Sequence, residues 1–148
     1  RTLFLFPMVA TPVAIALAVA LALGVAGPLD DGQLVPAFSL AFSFLLAQVL
    51  KRFFSRTRPN LPVGIISLIR APDRFSFPSG HATASLAIAL PVAMALPLTL
   101  GISILVLGMA VGLTRCYLGV HYPGDVLAGW SLAVLSVLLA PSLIGLFG

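Results

Sequence analysis

The stretch Phe75–Thr114, FSFPSGHATASLAIALPVAMALPLTLGISILVLGMAVGLT, contains no Asp, Glu, Lys or Arg. As helix it would be roughly 60 Å long, about twice the thickness of a bilayer's hydrocarbon core. It therefore reads as two membrane spans folded back on each other, about Gly80–Leu96 and Ile102–Tyr117, with a tight turn near Pro97–Gly101. Working outward, Thr2–Leu29 is uncharged, as is Gly32–Leu50. Each suits one span, and Gly27-Pro28-Leu29-Asp30-Asp31-Gly32 is the turn between them. Val126 toward Phe147 makes the last. The expected fold is all-α, a polytopic transmembrane bundle of about five spans forming one domain over residues 1–148. The segment from Leu61 to Phe77 reads as a short loop, with an interfacial helical turn at Ile65–Ile69.

Composition agrees. Of 148 residues, 60% are hydrophobic and 8% charged, against about 25% charged in soluble domains. Eight Lys and Arg face four Asp and no Glu, a net charge of +4. That excess suits anionic lipid heads or anionic substrates. No basic stripe alternates with stacking aromatics, which argues against a nucleic-acid partner. The one cysteine, Cys116, can form no internal disulfide. Nothing in the sequence fixes an oligomeric state.

Five helices joined by short turns must alternate direction. The second then ends at Lys51 on the face where the third begins at His81, and where the fourth ends and the fifth begins, at Arg115–Asp125. Lys51, Arg52, Arg56, Arg58, His81, Arg115, His121 and Asp125 thus gather at one membrane edge. Both histidines of the chain are among them. Charged groups are costly at such a seam and mark a site. His121 and Asp125 are one helical turn apart, so the carboxylate can hold the imidazole. A His oriented by an Asp beside fixed cations suits nucleophilic or base chemistry on an anion. The plain structural alternative is a buried Arg115–Asp125 ion pair with His121 passive between the helices. Cations around two imidazoles favour a phosphoryl group, whose charge spreads over its oxygens in the transition state. Ser79 is a natural N-cap, and Gly80 lets backbone N–H groups approach an anion. A metal site is the rival use of two His and an Asp. The surrounding cations oppose it, and the expected cofactor is none.

Lys51-x6-Arg58-Pro59, Pro78-Ser79-Gly80-His81 and Arg115-x5-His121-x3-Asp125 together resemble the three signature motifs of the type-2 phosphatidic acid phosphatase family, in order and spacing. The family includes bacterial lipid phosphatases and the vanadium haloperoxidases. Thr114 stands where the third motif usually opens with Ser, and keeps the hydroxyl. Membrane members commonly have six spans, so five implies a shorter member or one lacking the first helix. The resemblance implies a metal-independent lipid phosphatase. His121 would be the nucleophile that becomes phosphohistidine, and Asp125 would orient it. His81 would protonate the leaving oxygen and then activate water. Lys51, Arg58 and Arg115 would clamp the phosphate, helped by Ser79 and the Gly80 amide. Arg52, Arg56, Arg70 and Arg74 match no motif position and read as lipid-head contacts, substrate-rim contacts or structural anchors. The expected substrates are membrane lipid phosphates: polyprenyl diphosphate, phosphatidic acid, phosphatidylglycerol phosphate or lipid A. A haloperoxidase-like use of vanadate suits larger, soluble members. The alternative from another class is a non-catalytic protein that binds or transports lipid phosphates, which would not need both histidines and the aspartate. The expected location is a bacterial or archaeal cell membrane. The positive-inside rule would make the charged face cytoplasmic. The resemblance implies an extracytoplasmic one, and the motif cations have catalytic reasons to be there.

Overall fold

The computed structural model describes residues 31–60 and 74–146, with side chains from residue 34 onward in the first helix. Four α-helices run through them: α1 (Asp31–Phe54), α2 (Gly80–Ala95), α3 (Leu98–Tyr117) and α4 (Pro123–Ile144). No β-strand occurs among the described residues, only an isolated antiparallel bridge between Thr57 and Phe75. Three helices are long and apolar enough to cross a membrane: α1 from Leu34, α3 and α4. α2 has 16 residues, about 24 Å of rise, shorter than the hydrocarbon core. The first expected span, Thr2–Leu29, and the helical turn at Ile65–Ile69 lie outside the described residues. Of the five expected spans, the structure thus bears on four.

α2 is the centre of the bundle and packs on all three other helices. Half of it is buried: Ala82, Thr83, Ala84, Leu86, Ala87, Ala89, Pro91 and Ala93. Small side chains let backbones approach closely, which drives helix association in lipid, where the hydrophobic effect between helices is weak. Its neighbours answer in kind. The buried residues of α3 are Gly101, Gly108 and Gly112. On α4, Gly129 and Ala133 face inward, and a Cβ at Gly129 would come within 2.8 Å of Ser79 O and Thr83 Oγ1. Leu86, Ala87 and Ala133 form the core cluster, with Leu105 and Trp130 against it. Leu98, Ile102, Val106, Leu107 and Leu113 of α3 and Leu127, Leu135 and Leu138 of α4 point outward as an apolar surface suited to lipid.

Two boundaries differ from the sequence reading. The first is α1, which does not end at Lys51 but runs on through Arg52 to Phe54. Ser39, Ser43, Ala47 and Lys51 recur every four residues and are all buried, so Lys51 closes an inward stripe while Arg52 is exposed. The helix ends where Ser55 turns to a φ of 46°, its N–H donating to Lys51 O at 3.0 Å. The second is the α2–α3 turn, which takes only Leu96 and Pro97 rather than residues up to Gly101. Pro97 is the N-cap, where the missing N–H costs nothing, and Gly101 sits inside α3 against Ala93 O.

Candidate active site

The residues after α1 are held by the strand-like segment before α2. Ser76 N–H donates to Arg56 O at 2.8 Å, and Ser76 Oγ to Thr57 O at 3.0 Å. Phe77 packs edge-on to Phe54 with ring centroids 5.1 Å apart. This pinning fixes Arg56 and Arg58, which alternate in an extended stretch and so project on the same side. Ser79 then caps α2 as expected, its Oγ accepting from Ala82 N at 3.5 Å. Its own N–H donates to Asp125 O at 2.9 Å, which sets the N-termini of α2 and α4 side by side. Lys51 is 6% exposed, and a Cβ at Gly80 would lie 3.9 Å from its Nζ.

The α3–α4 connection is equally constrained. Gly119 takes a φ of 69°, open to glycine at no steric cost, and donates to Cys116 O at 2.9 Å. Val120 and His121 both donate their N–H to Arg115 O, at 3.2 and 3.3 Å. Arg58 Nη1 reaches across to Val120 O at 2.7 Å and stands 3.2 Å from His121 Nε2.

His121 is 5% exposed and Asp125 wholly buried. A guanidinium can only donate, so Nε2 is the lone-pair nitrogen and the ring proton belongs on Nδ1. His121 Nδ1 faces Asp125 Oδ2 at 3.6 Å, too long for a hydrogen bond, and makes none among the described residues. The carboxylate is otherwise fully engaged. Oδ2 accepts from Tyr122 N at 2.8 Å, and Oδ1 accepts from Arg56 Nη1 at 3.0 Å. Burial, then the Arg58 and Lys51 cations, lower the His121 pKa to about 4, against the opposing pull of Asp125 and of the Ser76 backbone. At neutral pH its imidazole is uncharged, with the Nε2 lone pair turned to the Arg58 guanidinium.

The structure brings Lys51, Arg58, Ser79, Gly80, Arg115, His121 and Asp125 to one end of the bundle. His81 lies in the first turn of α2 at that end and is exposed. Arg115 ends α3 with a buried Nε that makes no hydrogen bond among the described residues. The partner of Asp125 is Arg56, not the Arg115 of the plain structural alternative. Of the four cations outside the motifs, Arg56 is thus a structural anchor, Arg52 and Arg74 are exposed, and Arg70 lies outside the described residues. Sequence reasoning counted Arg56 among the converging cations without pairing it to Asp125, and gave Ser76 and Tyr122 no place in the site. The i, i+2 spacing of Arg56 and Arg58 in a non-helical stretch was the signal for the first. Nothing in the sequence pointed to Ser76. Among the described residues no three His, Cys, Asp or Glu side chains gather to hold a metal ion. The arrangement offers a neutral nucleophilic nitrogen, a buried carboxylate behind it and cations in front, a setting for an anion with a reactive centre.

Comparison with known proteins agrees with that chemistry. Residues 33–146 match the sequence model of the PAP2 superfamily. Decaprenylphosphoryl-5-phosphoribose phosphatase of Mycobacterium tuberculosis is 39% identical over 87 residues, 59% of this chain and 47% of that one. Lipid A 1-phosphatase of Rhizobium johnstonii is 36% identical over 103 residues, 62% of this chain and 39% of that one. The chain spans about half the length of the curated relatives it matches. Among solved structures, the PAP2-type phosphatidylglycerolphosphate phosphatase of Bacillus subtilis superposes with a TM-score of 0.60 at 25% identity, over 100% of this chain and 72% of that one. The three motifs, the convergence of their residues at one end of a helical bundle and the match over most of the chain agree: it belongs to the PAP2 superfamily.

Proposed function

We propose that this chain is an integral membrane phosphatase domain that hydrolyses the phosphate monoester or diphosphate of a lipid through a phosphohistidine. The observation that carries the reading is His121, neutral, with Nε2 turned to Arg58 and Nδ1 to Asp125. Nε2 attacks phosphorus and the bond to the leaving oxygen breaks. His81 gives that oxygen a proton, so an alcohol or a phosphate departs. The neutral His81 then takes a proton from water as the hydroxyl attacks the phosphohistidine, restoring both rings and releasing inorganic phosphate. Lys51, Arg58 and Arg115 hold the phosphoryl oxygens, with Ser79 and the Gly80 amide at the start of α2. Asp125 stabilises the positive charge that His121 acquires as it attacks. No step draws on a metal ion.

The relatives named above act on a decaprenylphosphoryl sugar phosphate and on lipid A. A site at the end of membrane-crossing helices suits such substrates, whose phosphates reach the interface. We place this face outside the cytoplasm of a bacterial or archaeal cell, in keeping with the family resemblance. The test is phosphate release by detergent-purified protein from polyprenyl diphosphate, phosphatidic acid, phosphatidylglycerol phosphate and lipid A, in excess chelator. Turnover of at least one is expected. Release from none, or loss with chelator that a divalent ion restores, would overturn the reading.

A further inference from the structure

We propose that Arg56, outside all three motifs, is a positioning residue: it locks the Asp125 carboxylate so that Asp125 holds the His121 ring with Nε2 facing the phosphate. The role rests on the phosphatase reading above. Three observations carry it. Arg56 Nη1 bonds Asp125 Oδ1 at 3.0 Å, while Tyr122 N–H takes Oδ2 at 2.8 Å, so the carboxylate is gripped at both oxygens and cannot rotate away from His121. The Arg56 guanidinium lies over the Tyr122 ring, 4.3 Å from its centroid, and a Cβ at Gly124 would be 4.0 Å from Nη1, so the turn that carries Asp125 also seats the cation. The Arg56 carbonyl accepts from Ser76 N–H at 2.8 Å, which anchors its backbone to the segment leading into α2. Arg56 keeps 44% of its side chain exposed, yet it spends a nitrogen on a carboxylate that is wholly buried.

The electrostatic consequence is specific. A buried carboxylate needs a partner, and one left uncompensated would draw a proton onto the neighbouring imidazole. The groups around His121 are Lys51 from α1, Arg56 and Arg58 from the connection after it, His81 at the start of α2, Arg115 at the end of α3, and Asp125 on α4. Arg56 Nη1 bonds the carboxylate itself, at Oδ1. Burial, Arg58 and Lys51 keep the His121 ring neutral; by offsetting the carboxylate charge Arg56 weakens the opposing pull of Asp125, and by fixing Oδ1 it keeps the carboxylate turned to Nδ1.

The experiment pairs Arg56→Met and Arg56→Lys with wild type in detergent micelles. Nitrogen NMR of histidine-labelled protein follows the two imidazoles, with His81→Gln assigning them, and kcat and KM are measured on the same lipid phosphate. In wild type, His121 should stay neutral, protonated on Nδ1, down to below pH 5. In Arg56→Met its titration should move up by about one pH unit. Its kcat should fall on the order of 10- to 100-fold, the usual cost of losing a group that orients a functional histidine, with KM little changed. Arg56→Lys keeps the charge but not the planar guanidinium over the Tyr122 ring, and should fall between. If Arg56→Met does not fold, Arg56→Lys is judged alone on the same two readouts. An unmoved His121 titration and tautomer would overturn the proposal, as would a rise in KM at constant kcat, which would make Arg56 a phosphate contact. Absence of lipid phosphate turnover by wild type would instead remove the phosphatase reading, while the NMR titration would still decide whether Arg56 governs His121.

Discussion

At one end of the bundle, the segments around Ser55–Arg58, Ser76–Ser79 and Val120–Asp125 are tied to one another by hydrogen bonds and an ion pair, around buried Lys51, His121 and Asp125. At the other end, α2 reverses into α3 across Leu96 and Pro97, beside an apolar hollow lined by Ala93, Met94, Leu98, Gly101 and Ile102. The first end compensates charge where water is scarce, and each buried polar group there restricts the next. The second is held by close backbone approach, as at Gly101 against Ala93 O. Altering the charged end should therefore change turnover in a folded protein, and altering the apolar end should change stability and leave turnover per folded molecule alone.

The largest effect should come from His121→Ala. With the proposed nucleophile removed, turnover should fall by at least on the order of 10³-fold with the helical content retained, as circular dichroism and a phosphate-release assay would show. Turnover within a few-fold of wild type would remove the asymmetry between the two ends. His81→Ala should cost lipid phosphate turnover about 10²- to 10⁴-fold, the usual span for general acid–base catalysis. The phosphorylation burst with a nitrophenyl phosphate, whose leaving group needs no proton, should fall much less. Equal losses would make exposed His81 a phosphate contact rather than the acid. The smallest effect on chemistry belongs to Gly101→Ala. Its Cβ would stand 2.6 Å from the Ala93 carbonyl oxygen, so the two helices must part, at about 1–3 kcal/mol. A lower melting temperature with unchanged kcat is expected, and a fall in kcat would mean that strain at the far end reaches the site.

The same division explains what the sequence made legible. Long uncharged runs set the helices, and the antiparallel alternation that follows places the three motifs at one end without any knowledge of packing. α1 was cut short because a Lys-Arg pair reads as a stop; burial of Lys51 beside exposed Arg52 depends on which face of the helix meets α2. The α2–α3 turn was drawn too long because Gly101 looks like a turn residue, whereas it serves the approach of two helices. In the site, His121 and Asp125 were readable from their one-turn spacing, and Ser79 from its place before an apolar helix. The Arg56–Asp125 pair was not. Its partners are 69 residues apart, and several arginines competed for one carboxylate. The pinning of Arg56 and Thr57 against Phe75 and Ser76 selects among them.

The central claim is that His121 Nε2 takes the phosphoryl group from a lipid. It is tested most directly by rapid-quench trapping of the detergent-purified protein with a phosphorus-labelled lipid phosphate, followed by mapping of the label. The account predicts an acid-labile, base-stable phosphoramidate on His121, which accumulates when hydrolysis is slowed and disappears in His121→Ala. Label on another residue, or steady turnover with no labelled protein when rapid quenching resolves the first turnover, would contradict it.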